Sequence, residues 1–156
     1  MTTTLAAPAM APDFTIARDG GGHITLRDFR GKKLVLYFYP KADTPGCTQE
    51  SIEFSALRAS FAGAGTEVIG VSADPVKAQD AFKAKHGLTV ALGSDSTHAM
   101  LKAYGVWGEK SMYGKTFMGI VRTTFLIGTD GRIVRVWPNV KVKGHAAAVL
   151  AAAQAI

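Results

Sequence analysis

The sequence predicts an α/β domain in which a mixed β-sheet is covered by helices. Segments typical of strands and of helices alternate through most of the chain, and the last two strand-like segments, joined by a short turn, are antiparallel. The chain has 156 residues, and 47% of them are hydrophobic. This length suits one domain, and the apolar fraction excludes wholesale disorder. We therefore expect a single domain over residues 1–156, with an extended lead-in over residues 1–11.

The first predicted elements are a β-hairpin and a buried strand. Residues 14–16 and 24–26 alternate apolar and polar side chains on either side of the glycine-rich turn 19–22, a pattern typical of a hairpin. Residues 33–39 (KLVLYFY) carry apolar side chains at nearly every position, which predicts a central strand buried on both faces. Pro40 ends this strand.

A helix is predicted almost directly after the central strand. Thr44 is a suitable N-cap, and Pro45 fits the first helical position because its missing N–H has no partner there anyway. Apolar residues continue at helical spacing to Phe61, and Gly63 stops the helix.

The remaining segments continue the alternation of strands and helices. They begin with a strand over 68–71 and a helix that Asp74 is expected to cap, with Pro75 at its start, and that runs to His86. A strand over 89–92, a helix capped by Asp95 or Ser96 and ending at Tyr104, and a loop over 106–118 follow. The last elements are strands over 121–127 and 132–137, joined by a Thr-Asp-Gly turn, and a helix over 145–155.

Cys47 is the only cysteine, so a disulfide-stapled scaffold is excluded. The residue falls near the third position of the helix that starts at Pro45. Unpaired backbone N–H groups and the positive end of the helix dipole favour a thiolate at such a place. We therefore expect Cys47 to be a reactive thiol rather than a small core residue.

Several thiolate chemistries are disfavoured by the rest of the sequence. A cysteine hydrolase needs a histidine base, and none of the four histidines has a recognisable catalytic surround. One cysteine with dispersed histidines shows no metal-ligand spacing, so no metal site is expected. A C-x-x-C motif is absent because the third residue after Cys47 is Glu50. What remains is a thiolate that is oxidised and then reduced by an external thiol.

The net charge, the apolar runs and the N-terminal residues indicate neither a nucleic-acid partner nor a membrane. The net charge is +6, but the basic residues are scattered and accompany no nucleic-acid motif, so no nucleic-acid partner is expected. The longest apolar run, Ala146–Ala153, is far below the roughly 20 residues of a membrane span. Residues 1–12 lack a positive region and a long apolar core, so they make a poor secretory signal.

Two separated blocks of the sequence resemble a known family. Pro40, Thr44 and Cys47 form the pattern P-x-x-x-T-x-x-C (PKADTPGC), which resembles the peroxidatic motif of peroxiredoxins. The longer strings YFYPKADTPGCTQE and YGVWGEKSMYGKTFMGIVRTTFLI resemble the PrxQ subfamily, also called bacterioferritin comigratory protein. The resemblance extends from about residue 11 to the C-terminal helix.

The resemblance implies a thioredoxin-like fold and thiol-dependent reduction of hydrogen peroxide and organic hydroperoxides, without a cofactor. It implies that Cys47 is the peroxidatic nucleophile and that Thr44 hydrogen-bonds the thiolate and the peroxide. Pro40 would shield the pocket from water, Arg122 would be the active-site arginine, and Glu50 would orient that arginine. A guanidinium placed in advance stabilises the charge that moves from sulfur to the leaving oxygen.

The chain departs from the subfamily in its cysteine count. Many members carry a resolving cysteine five residues after the peroxidatic one, where this chain has Ile52, and others carry it in the helix that here contains Lys83. The chain resembles a one-cysteine member, and replacement of a resolving cysteine by design would look the same. We expect a cytoplasmic monomer recycled by thioredoxin or by glutathione/glutaredoxin. A non-enzymatic thioredoxin-like module for redox sensing or protein binding is the alternative.

Overall fold

A computed structural model describes residues 3–156. Met1 and Thr2, the first residues of the expected lead-in, lie outside the described residues. The strands are β1 (Thr15–Arg18), β2 (His23–Thr25), β3 (Lys33–Phe38), β4 (Thr66–Ser72), β5 (Ala91–Ser94), β6 (Trp107–Met112), β7 (Lys115–Ile120), β8 (Thr123–Ile127) and β9 (Ile133–Trp137). The helices are α1 (Pro45–Ala56), α2 (Arg58–Gly63), α3 (Val76–His86), α4 (Ala99–Ala103) and α5 (His145–Gln154), with a 3-10 turn at Leu26–Phe29.

Seven of the strands form one mixed sheet, in the order β2-β1-β5-β4-β3-β8-β9. Strands β3, β4 and β5 are parallel, and the other neighbours are antiparallel. At the centre, Leu36 of β3 lies opposite Ile69 of β4 and Phe125 of β8. The predicted mixed sheet and N-terminal hairpin are confirmed, and in the hairpin Ile16 pairs with Ile24.

Helices cover both faces of this sheet because β3 is apolar on both sides. Leu36 and Phe38 pack with α4 and the 3-10 turn on one face. Val35 and Tyr37 face the other side, where α1, α2, α3 and α5 pack. The aromatic or aliphatic residues that these helices contribute are fully buried: Phe54, Phe61, Phe82 and Val149.

Residues 106–118, predicted as a loop, instead contribute strands β6 and β7, which pair as a separate antiparallel hairpin. The two-residue turn is Tyr113-Gly114, with φ of 53° and 75°, and positive φ at both positions is typical of tight hairpins. Most of this hairpin is exposed, including Met112 and Met118. A hairpin without a buried face has no apolar alternation, so the pattern used for the other strands missed it.

Among the other boundaries, the larger differences from the prediction are in α1, β5 and α4. The helix predicted through Gly63 is divided at Leu57 into α1 and α2. Strand β5 lies two residues later than expected, and α4 begins at Ala99 rather than directly after Asp95. Asp95 still serves this helix, because its Oδ2 accepts a hydrogen bond of 2.8 Å from the backbone N–H of Leu101.

The lead-in is fastened to the domain along its described part. The Thr3 hydroxyl donates to the carbonyl of Tyr104 at 2.7 Å, and Met10 forms a β-bridge with Arg132. Ala11 is buried. Over residues 3–156, no helix combines the length and apolar character needed to cross a membrane.

Candidate active site

The site lies at the start of α1, just after the loop that connects β3 to this helix. Strand β3 ends at Phe38, and α1 begins at Pro45, so Cys47 is the third residue of the helix, as predicted. Its side chain is only 1% exposed. The N–H groups of a first helical turn have no intrahelical acceptor, and a negatively charged sulfur at this position is stabilised by them.

Arg122 contacts both Cys47 and Glu50. The residue lies between β7 and β8, and its backbone carbonyl accepts a hydrogen bond from Val140. Its Nη2 is 3.3 Å from Sγ of Cys47, and its Nη1 is 2.6 Å from Oε1 of Glu50. Burial of the guanidinium works against its charge, but Glu50 and Cys47 outweigh burial and raise the pKa of Arg122.

Glu50 is a buried carboxyl group with an incomplete set of partners. The residue is 1% exposed, and burial raises its pKa to about 7, against the opposing effect of the Arg122 charge; Glu53 raises it further. Oε1 is bound to Arg122, whereas Oε2 has no hydrogen-bond partner among the described residues. Among the described residues, only one of the two oxygens of this buried carboxyl group therefore has a hydrogen-bond partner.

Thr44 occupies the N-cap position of α1, as predicted, but its side chain makes no capping hydrogen bond. The hydroxyl instead donates to the carbonyl of Lys41 at 2.7 Å. Thr44 is therefore the N-cap by position, but the side-chain capping bond expected of it is not formed. A capping oxygen accepts from the N–H groups of the first turn, whereas this hydroxyl is recorded only as a donor to the Lys41 carbonyl. Pro40 follows β3 and is half-buried at the start of the same loop.

A layer of polar and aromatic contacts beneath the site fixes α1 on the sheet. The Tyr37 hydroxyl donates to Oγ of Ser51 at 3.0 Å, and the Tyr37 ring stacks on Phe54 with 4.5 Å between centroids. His145, at the start of α5, shares a 2.8 Å hydrogen bond with the Thr124 hydroxyl. Burial and the nearby Arg122 charge lower the pKa of His145 to about 4.

Lys110 of β6 is a second cation near the site that the sequence analysis missed. Its Nζ donates to the carbonyl of Ile120 at 2.9 Å, and it lines a cavity together with Arg122 and Val140. Burial and the Arg122 charge lower the pKa of Lys110, while Cys47 has the opposite effect. Nothing in the sequence indicated this position, because Lys110 lies in the segment predicted as a loop.

The histidines take no part in the contacts that the structure records at Cys47. His23 is exposed on β2, His86 binds Asp43, and His98 stacks on Trp107 with 4.0 Å between centroids. Among residues 3–156, no three His, Cys, Asp or Glu side chains gather as a metal site would require. The partner of the sulfur is instead the Arg122 guanidinium, which donates and carries charge but cannot accept a proton from a thiol.

A buried sulfur at a helix start, in contact with a fixed guanidinium, suits nucleophilic attack in which charge leaves sulfur and develops on a departing oxygen. The comparisons with known proteins agree with this class of site. Residues 8–136 match the model of the AhpC/TSA family. The chain therefore belongs to the AhpC/TSA family.

The more similar relatives are peroxiredoxins. Over 151 residues, the chain is 48% identical to the peroxiredoxin Bcp of Xanthomonas campestris, covering 97% of this chain and 94% of the relative. It is 44% identical over 147 residues to the peroxiredoxin Bcp of Bacillus subtilis, covering 94% of each. A solved structure from work on alkyl peroxide reduction by the X. campestris bacterioferritin comigratory protein has a TM-score of 0.90 and 46% identity, covering 96% of each chain.

Within the family, these similarities place the chain in the PrxQ/Bcp subfamily, with its thioredoxin-like fold. The protein is thus a thiol-dependent peroxidase, an oxidoreductase, and the resemblance stated from the sequence is confirmed.

Proposed function

We propose that this protein reduces hydrogen peroxide and organic hydroperoxides through a sulfenic acid at Cys47, which an external thiol then reduces. The observation that carries the proposal is the contact of Arg122 with both Cys47 and Glu50. One guanidinium held by two acidic side chains keeps a donor on the reacting sulfur before any peroxide arrives. Such prior placement is what stabilises a developing charge at no further cost in reorganisation.

In the first half-reaction, the Cys47 thiolate attacks the nearer oxygen of the hydroperoxide. The S–O bond forms as the O–O bond breaks, sulfur loses two electrons, and the peroxide gains them. The departing alkoxide or hydroxide takes up a proton from solvent and leaves as an alcohol or water. Arg122 stabilises the negative charge as it passes from sulfur to the leaving oxygen.

Thr44 and Pro40 are proposed to bind and shield the peroxide. The Thr44 hydroxyl donates its hydrogen bond to the backbone carbonyl of Lys41, so its lone pairs can accept a hydrogen bond from the O–H of the hydroperoxide. Pro40 carries no N–H and presents an apolar ring at the loop that precedes the site. The alkyl peroxide reduction described for the X. campestris relative supports organic hydroperoxides as substrates.

In the second half-reaction, an external thiol attacks the sulfenic sulfur, releasing water and forming a mixed disulfide. A second thiol then displaces Cys47 and leaves as part of a disulfide. We propose thioredoxin or glutathione with glutaredoxin as the source of these thiols. Continuous supply of thiols is typical of the cytoplasm, where we place the protein as a monomer.

A coupled assay tests the proposal. Wild-type protein, supplied with peroxide and either thioredoxin or glutathione/glutaredoxin, should oxidise NADPH over many turnovers, and Cys47→Ser should not, although it stays folded. A non-enzymatic sensing module would stop after one equivalent of peroxide. Such a single turnover with every reductant, or undiminished activity of Cys47→Ser, would contradict the proposed function.

A further inference from the structure

A buried polar network ends on the loop that carries the site. Asp74, two residues after the end of β4, accepts two hydrogen bonds on Oδ2, one of 2.6 Å from the Ser72 hydroxyl and one of 2.8 Å from the backbone N–H of Ala42. Ala42 lies between Pro40 and Thr44. Asp74 was expected to cap α3, but the N-cap is Pro75, and the carboxylate is turned toward the site loop instead.

The same network continues into α3. Nε2 of Gln79 donates to the Ser72 hydroxyl and to the carbonyl of Gly93, each at 2.9 Å. Oε1 of Gln79 accepts from the Tyr39 hydroxyl at 2.5 Å. Gln79, Ser72 and Tyr39 are all completely buried. Hydrogen bonds in such surroundings hold their groups firmly because a lost partner leaves a buried polar atom unsatisfied.

The other end of α3 holds the next residue of the loop. Asp43 has a left-handed backbone, with φ of 61°, and its carboxylate binds Lys85 and His86 at 2.8 Å each. These bonds lower the pKa of Asp43. Two consecutive residues of the loop from Pro40 to Thr44 are therefore attached to the two ends of the segment 74–86, which contains α3.

That segment is itself anchored to the sheet. Lys83 lies on α3, the helix in which some PrxQ proteins carry a resolving cysteine, and forms a 2.7 Å ion pair with Asp19. Asp19 is buried and also accepts a hydrogen bond of 2.8 Å from the backbone N–H of Leu92 in β5. Helix α3 is thus joined to the sheet by an ion pair.

We infer that Asp74 is a positioning residue for peroxide reduction, which holds the loop bearing Thr44 against a fixed α3. The inference rests on the proposed function, because it matters only if Thr44 and Cys47 meet the peroxide together. Asp74 touches no reacting atom and acts through the backbone of Ala42. Loss of this bond removes one of the two attachments of the loop and leaves the one at Asp43, and a displacement of about 1 Å at a reacting site is enough to slow chemistry strongly.

The test compares Asp74→Ala with two partners. Asp74→Asn keeps an oxygen that can accept from Ala42, so it serves as the conservative rescue. Asp80→Ala is the matched control, since Asp80 lies on α3 and its Oδ1 accepts a 2.7 Å bond from the backbone N–H of Gly20, away from the site loop. Each protein is assayed for the rate of peroxide reduction and for the rate of Cys47 alkylation by iodoacetamide, which needs an accessible thiolate but no peroxide pocket.

We expect Asp74→Ala to lose at least about tenfold in the peroxide rate, equivalent to about 1.4 kcal/mol of barrier. Its alkylation rate should not fall, and Asp74→Asn and Asp80→Ala should stay within about threefold of wild type. A residue with a structural role alone would lower the melting temperature and leave both rates unchanged. A peroxide rate of Asp74→Ala within twofold of wild type, or an equal loss in Asp80→Ala, overturns the inference.

Hydrogen exchange of the wild-type protein provides a measurement that does not depend on a variant's folding. The Ala42 amide should exchange at least about 100-fold more slowly than an unprotected amide, although it lies in a loop. Unprotected exchange at Ala42 overturns the inference. If wild-type protein shows no Cys47-dependent turnover, the proposed function fails instead, whatever the exchange result.

Discussion

Gly46 leaves the space that Arg122 occupies. A Cβ placed on Gly46 would lie 3.2 Å from Nη2 of Arg122, the nitrogen that donates to Cys47. A separation of that size is too tight for ordinary contact, so either the guanidinium or the helix start would have to shift by a few tenths of an ångström. The backbone of Gly46 is helical rather than left-handed, so the glycine is required here by the approach of the arginine.

Gly46→Ala should therefore separate stability from activity. Alanine is favoured over glycine in helices by up to about 1 kcal/mol, so the variant should unfold at an equal or higher denaturant concentration. Displacement of the guanidinium should nevertheless lower the peroxide rate several-fold. Gly63→Ala in α2 is the control, since a Cβ there meets nothing within 4 Å. Full activity of Gly46→Ala would show that the Arg122 contact tolerates the shift.

Arg122→Lys should lose tenfold or more in the peroxide rate, equivalent to about 1.4 kcal/mol of barrier. Lysine keeps the charge but offers one nitrogen where arginine divides two between Cys47 and Glu50. Pre-steady-state measurement of the oxidation of Cys47 gives the rate directly. Arg132→Lys, at an exposed arginine that binds the Pro8 carbonyl, should match wild type. Unchanged oxidation in Arg122→Lys would show that the role of Arg122 is purely structural.

Stability should fall as the pH rises because of Glu50. An unfolded glutamate ionises near 4.5, whereas burial raises the pKa of Glu50 in the folded protein to about 7. Between these values the folded state keeps a proton that the unfolded state has lost, so folding becomes less favourable with rising pH. The resulting loss of folding stability is about 3 kcal/mol. It is absent below the lower pKa and complete above the higher one.

Urea unfolding at about pH 4.5 and about pH 8 measures this effect. Glu50→Gln should remove most of the difference between the two pH values, since glutamine does not titrate. Glu109→Gln, at an exposed carboxylate of β6, should keep the wild-type difference. An identical pH dependence of Glu50→Gln and wild type would mean that folding leaves the pKa of Glu50 unchanged.

Those parts of the site that depend on neighbouring residues could be predicted from the sequence. Thr44-Pro45 predicts the start of α1, and the position of Cys47 within the first turn follows from that start. The contact between Cys47 and Arg122 joins residues 75 positions apart. Local sequence patterns cannot predict a contact between residues so far apart. Only the resemblance to peroxiredoxins indicated that both residues belong to one site.

Asp74 illustrates the limit of a pattern that fits two local structures. Asp-Pro before an apolar periodic segment predicts a capped helix. The carboxylate lies instead at the edge where parallel β3 and β4 end side by side, and the N–H of Ala42 lies at that same edge. A cap would have been satisfied within the helix, whereas the contact that forms depends on the order of strands in the sheet.

Oxidised Cys47 should persist as a sulfenic acid until an external thiol arrives. The sequence contains one cysteine, so resolution within the chain has no second thiol to use. The sulfenic acid can form a mixed disulfide with another molecule, pair with Cys47 of a second chain, or oxidise further to sulfinic acid. Intact mass spectrometry after one equivalent of peroxide distinguishes these three outcomes.

We expect a species heavier by one oxygen that a sulfenate probe traps and that glutathione converts to an adduct. The sulfur is 1% exposed and lies in the first turn of α1, so a small thiol can reach it once that turn opens, whereas direct pairing of two Cys47 residues requires two such turns to open against each other. Cys47→Ser, treated in the same way, should gain no probe adduct and serves as the control. A covalent dimer formed in full yield without added thiol would show that resolution occurs between chains, because no other route joins two single-cysteine chains through sulfur.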